Sequence, residues 1–183
     1  VQWQLDHYAS TGRLVGIFPE LKHPDFYGSL GHPMEDLLVG QLRVAGYHVD
    51  LGDEQTPTDL RGVVPVAIQC FKPPSLQRLR AISSIPLVQL IGVSEANPTP
   101  LSVWNPAVLD AVSAYATAVA PDKMIFTVDW GTSLALAREM MGWARERGLE
   151  VVPWSFQQEA QYIPAQFGGD PHAELEFYYG CLG

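Results

Sequence analysis

Short apolar runs alternate along the chain with stretches in which apolar residues recur every three or four positions. Runs of about 4–8 apolar residues predict buried strands, and the 3.6-residue recurrence predicts amphipathic helices. Residues 13–18 (RLVGIF), 63–69 (VVPVAIQ), 86–91 (PLVQLI), 115–120 (YATAVA) and 149–154 (LEVVPW) read as strands. Helices are expected over 33–45, 74–82, 105–114, 132–147 and 173–179. Punctuation supports these spans. Pro33 suits a first helical turn and Gly46 a stop, Asn105-Pro106 pairs a capping residue with proline at the first helical position, and Gly148 is a terminator. The first helix is expected to bury Met34, Leu37, Leu38, Leu42 and Ala45, and the fourth Leu134, Ala137, Met140, Met141 and Ala144.

Strands that are nearly continuous in apolar residues, alternating with helices, predict an α/β fold with a parallel sheet covered by helices. Two architectures fit: an open doubly wound sheet and a closed eight-stranded barrel. No glycine-rich phosphate loop follows any of the runs, so the usual mark of a nucleotide-binding open sheet is missing. A whole barrel takes about 250 residues, so 183 would hold only part of one.

Composition narrows the partners. Hydrophobic residues make up 47% of the chain, enough for a core, so wholesale disorder is excluded. Polar residues or prolines interrupt every apolar run well before the ~18 residues of a membrane span, and none is expected. Net charge is −9, from 20 acidic against 11 basic residues, the wrong sign for gripping a phosphate backbone; nucleic acid is not an expected partner. Cys70 and Cys181 allow one disulfide at most and make no metal-ligand spacing. Val1 is not methionine and no signal-peptide pattern follows it, so the numbering is expected to start after processing or within a longer chain.

Polar residues gather just past the strand ends, where α/β sheets and barrels bind ligands. Pro19, Glu20, Leu21 and Lys22 follow the first run; Gln69, Cys70, Phe71 and Lys72 end the second; Trp154, Ser155 and Phe156 end the fifth. Glu20 and Lys22 are two apart, so in an extended chain they share a face. A carboxylate beside an ammonium suits a metal-bound phosphate, the first holding a cation and the second meeting a phosphoryl oxygen. An ordinary strand-end ion pair fits the spacing as well. Phe71 and Trp154 could wall a pocket or belong to the core, Gln69 could bind a ligand or cap the sheet, and Cys70 reads as a buried, inert thiol. His23 is the histidine nearest this group.

Residues 16–24 (GIFPELKHP) resemble the glycerophosphodiester phosphodiesterase family, whose third barrel strand ends in a similar P-E-(I/L)-K segment. The likeness continues in order through 67–71 (AIQCF), 87–91 (LVQLI), 115–123 with its Pro121-Asp122-Lys123, 148–156 (GLEVVPWSF) and 177–180 (FYYG). The resemblance implies a TIM barrel, incomplete here, with 1–183 a single partial domain holding strands three to seven. It implies hydrolysis of small-molecule glycerophosphodiesters to an alcohol and glycerol 3-phosphate with a bound divalent cation, Ca²⁺ or Mg²⁺. Carried over residue by residue, Glu20 is a metal ligand, Lys22 a catalytic residue on the phosphate side, and Gln69, Phe71 and Trp154 substrate-binding walls. The family's opening H-R-G strand, its E-x-D strand, its second catalytic histidine and its closing strand have no match, and Gln157 stands where arginine is frequent. The chain alone is therefore expected to be inactive, and a secreted or periplasmic parent is expected. The alternatives are a catalytically dead, barrel-derived binding or structural protein, or a relative of phospholipase D or the phosphoinositide lipases.

Overall fold

A computed structural model describes residues 2–13, 15–47, 49–51, 66–92 and 99–182. The chain divides into two compact units, Val1–Gln89 and Leu90–Gly183. Both are mixed α/β, and every strand pairing described is parallel.

In the first unit, helix α1 (Gln2–Thr11) is followed by α2 (Pro24–Ser29) and α3 (Met34–Val44). Strand β1 (Ile68–Cys70) leads into α4 (Pro73–Ile82) and then β2 (Leu87–Ile91), whose residues 87–89 belong to this unit. Ile68, Gln69 and Cys70 pair in parallel with Leu87, Val88 and Gln89. On the other side of β1 the expected strand over 13–18 is reduced to parallel bridges at Ile17↔Val66 and Glu20↔Gln69. Pro19, which has no N–H to give, lies between those bridges and still accepts from Gln69 N–H at 2.9 Å. The expected 63–69 strand begins in residues outside those described.

Helix α3 carries Glu35 and Asp36 in its first turn and Arg43 in its last, matching the helix dipole. Its buried face matches the expected one only in part: Leu42 is buried as expected, but Glu35 and Val39 face inward with it and Leu37 is 52% exposed. The apolar pattern alone misplaced the face because a buried acid lies on it. Ser75 Oγ donates to the Glu35 carboxylate and makes that burial tolerable.

In the second unit, α5 (Pro100–Val103) and α6 (Pro106–Ser113) precede β3 (Ala118–Pro121), and α7 (Leu134–Arg145) precedes β4 (Glu150–Val151). Ala118 and Val119 pair with Glu150 and Val151, and an isolated bridge joins Asp122 to Trp154. The expected fifth strand is thus two residues and a bridge. Ala137, Met140, Met141 and Ala144 are buried on α7 as expected, whereas Leu134, in the first turn, is 39% exposed. The core is built on Trp104, which is fully buried, donates its indole N–H to the Met140 carbonyl at 2.9 Å and meets Phe126 edge-on. Helix α8 (Pro171–Glu176) starts from an Asp170 cap and runs into a wider turn over Phe177–Cys181.

The Asn105 side chain accepts the Val108 N–H at 3.1 Å, the expected cap of α6. Asn105→Ala should cost about 1 kcal/mol and Asn105→Ser almost nothing, as read by urea titration. Equal losses in both variants would remove the cap from the account.

Candidate functional site

The first unit brings several of the expected residues together at the carboxyl end of its parallel strands. Leu21 N–H donates to the Gln69 carbonyl at 3.0 Å, the last rung before the chain turns away from β1. Beyond it, Glu20, Leu21, Lys22, His23 and Pro24 form one arm, and Phe71 with Lys72, directly past β1, forms the other. Together they line a cleft of about 320 Å³. The Lys22 ammonium lies 3.3 Å from the Glu20 carboxylate; Lys22 is 70% exposed and Glu20 23%. Phe71 stands 45% exposed on the opposite arm. His23, at the residue before α2, has φ 53° and makes no side-chain cap bond; its left-handed backbone turns the chain at the edge of the cleft.

Gln69 is beside the cleft without lining it. Its carbonyl takes the Leu21 N–H and its side-chain amide donates to the Phe18 carbonyl at 3.4 Å. Trp154 lies in the second unit. It is half-buried at the end of the β3–β4 pairing, with its N–H on the Pro121 carbonyl and its indole N–H on the Ala120 carbonyl at 2.8 Å.

Sequence reasoning placed Lys72 past a strand end without giving it a role and passed over Asp25; the two form a second ion pair at 3.3 Å beside the cleft. The available signal was position: Lys72 follows the β1 end just as Lys22 follows its own arm. Cys70 is fully buried, and desolvation pushes its thiol above the ordinary range, consistent with an inert sulfur. Cys70 and Cys181 are both free thiols.

The second unit holds a polar cluster to which the sequence assigned no role, although Lys123, Phe156 and Tyr178 lie in the segments that carry the resemblance. The Lys123 ammonium, 5% exposed, lies 2.8 Å from Glu174 Oε1, 1% exposed, and donates to the Tyr162 carbonyl at 2.8 Å. It also sits 5.4 Å from the Phe156 ring centre. Glu174 Oε1 has no well-aligned hydrogen bond among the described residues, so its compensation is the charge of Lys123. The Tyr178 hydroxyl donates to the Lys123 carbonyl, and burial, with Glu174 and Asp122 nearby, pushes its pKa far above the usual tyrosine range and keeps it protonated.

A divalent cation asks for several hard oxygen ligands, six to eight for calcium and near-octahedral geometry for magnesium. Among the described residues no group of three or more His, Cys, Asp or Glu side chains converges. Glu20 with a lysine against it does not by itself fit such an ion.

No protein-family model matches the chain. The curated protein named glycerophosphodiester phosphodiesterase GDPD6, of Arabidopsis thaliana, is 26% identical over 97% of this chain. That likeness supports the glycerophosphodiester phosphodiesterase family, and so a hydrolase. The chain spans about half the length of this relative, 50% of which is matched. No helix among the described residues is long and apolar enough to cross a membrane.

Proposed function

We propose that this chain is part of a TIM-barrel glycerophosphodiester phosphodiesterase, and that the cleft between the Glu20–Lys22 arm and Phe71–Lys72 receives the phosphodiester. The observation carrying the reading is the meeting of Glu20 and Lys22 at the lip of a cleft, past the carboxyl end of parallel strands. The distant phosphodiesterase relative, matched along nearly the whole chain, supports it.

In the reaction, a water oxygen attacks phosphorus and the bond from phosphorus to the alcohol oxygen breaks. A proton reaches the departing alkoxide, leaving the free alcohol and glycerol 3-phosphate. Lys22 supplies positive charge to phosphoryl oxygens as their charge grows, and Phe71 gives the substrate an apolar wall. Gln69 holds the Glu20 arm by its backbone and contributes its amide at the cleft edge. Trp154 is retained as a substrate contact of the complete protein. Glu20 is read as one ligand of a calcium or magnesium ion in the complete protein. A secreted or periplasmic protein remains the proposed setting.

The test is turnover of glycerophosphocholine by the full protein with Glu20→Ala and Glu20→Asp, across a titration of calcium and of magnesium. Glu20→Ala should lose nearly all activity at ordinary metal concentration and regain part of it in excess metal, with Glu20→Asp between it and the parent. Near-normal activity with unchanged metal dependence would take Glu20 out of the site. The absence of a convergent ligand group among the described residues favours a second reading, a binding protein on a degenerate barrel scaffold. A full protein that binds glycerophosphocholine without turning it over, at any metal concentration, would establish that reading instead.

A further inference from the structure

The two arms of the cleft rest on a pair of buried residues that do not line it. Cys70, the last residue of β1, is fully buried. Its thiol donates to the Leu21 carbonyl at 3.2 Å, and its sulfur accepts the Lys72 N–H at 3.3 Å. Leu21 stands between Glu20 and Lys22, and Lys72 directly follows Phe71, so one sulfur holds the main chain of both arms.

Gln89 is the register partner of Cys70 on β2 and is 4% exposed. Its amide Nε2 donates to the Cys70 carbonyl at 3.3 Å and to the Phe71 carbonyl at 3.2 Å. The second of these carbonyls lies just past the end of β1, so one side chain spans the last rung and the start of the arm. A glutamine amide with two donors can serve both oxygens at once, which no apolar residue of that volume can do. Just beyond, Ser75 in the first turn of α4 donates to Glu35 of α3, fixing the start of the helix into which the second arm runs.

We propose that Cys70 and Gln89 are positioning residues of the cleft. Through the Leu21 carbonyl, the Lys72 amide and the Phe71 carbonyl, they set the spacing of the arms that present Glu20, Lys22, Phe71 and Lys72. The effect on turnover rests on the phosphodiesterase reading; the clamp itself rests on the geometry. A thiol that only filled space would be replaceable by alanine at a uniform cost in stability. A clamp is local, and its loss frees the arms before the core.

The experiment is amide hydrogen exchange on the full protein, paired with kcat and KM for glycerophosphocholine, in Gln89→Leu, Cys70→Ala and Cys70→Ser. Exchange at the Leu21 and Lys72 amides should rise about tenfold in Gln89→Leu and Cys70→Ala, while the core amides of Ile68 and Leu79 hold within about twofold. Cys70→Ser, which keeps a donor and an acceptor, should restore much of the protection at Lys72. In the same variants kcat should fall about tenfold or more while KM changes little, because misplaced groups reduce productive geometry more than affinity. Unchanged exchange at Leu21 and Lys72 overturns the clamp, whatever the activity. An equal rise at Ile68 and Leu79 assigns both residues to plain packing and overturns it as well. Local loosening with unaltered kcat overturns the positioning role. Local loosening in a protein whose parent has no turnover upholds the clamp and overturns the phosphodiesterase reading alone.

Discussion

Glu174→Leu is expected to destabilise the second unit by about 3–5 kcal/mol, because it strands the Lys123 ammonium without its counter-charge. Both side chains are almost wholly removed from water, and the Tyr162 carbonyl and the Phe156 ring are the other compensation visible for the cation. Attraction between two buried charges barely offsets their desolvation, so the pair contributes little net stability while the loss of one partner is severe. The double variant Lys123→Met/Glu174→Leu should therefore recover most of the loss. Urea titrations of the parent, both single variants and the double variant give the cycle directly. A loss below about 1 kcal/mol in Glu174→Leu would mean that water reaches Lys123 and solvates it.

For the proposed reaction, Lys22→Ala in the full protein should lower kcat by about 10²–10³, the usual cost of removing one preorganised group that meets developing charge. Lys22→Arg should retain an intermediate rate, since it keeps the charge and changes its shape. KM should change less than kcat, because the interaction strengthens as charge builds on the phosphoryl oxygens. Added metal should not restore the rate. If Lys22 serves only as an exposed partner of Glu20, the contact is worth about 0–1 kcal/mol of stability and steady-state kinetics will hardly register its loss.

The parts of the fold legible in the sequence are those governed by local chemistry. Asn105-Pro106 announced its helix because a cap and a first-turn proline act within four residues, and the cap is present. The buried face of α7 was readable because its methionines and alanines repeat at the helical period and no polar residue interrupts them. The face of α3 was not, since Glu35 is buried through a partner forty residues away that no local pattern reveals. The short helices 2–11 and 24–29 have weak or mixed apolar patterns and went unread, as did 100–103.

At the candidate site, the closeness of Glu20 and Lys22 followed from their two-residue spacing, and Phe71 from its place after a strand. Lys72 was legible by position but not by role, and Asp25 and Gln89 escaped, because their roles depend on which strands lie side by side. Parallel pairing joins residues far apart in sequence, and a single chain read from end to end does not display that register.

The cleft already contains its own counter-ions. Lys22 is matched by Glu20 and Lys72 by Asp25, so the four formal charges around it cancel. On the proposed reading, an anionic phosphodiester entering there would displace carboxylates instead of meeting bare cations, and its arrival would be an exchange of partners. Without a bound cation, ground-state binding to such a site would be weak and only mildly sensitive to salt, since ions screen the pairs that break as well as those that form. An ammonium released from its carboxylate only as a stronger acceptor develops favours the reacting phosphate over the resting one.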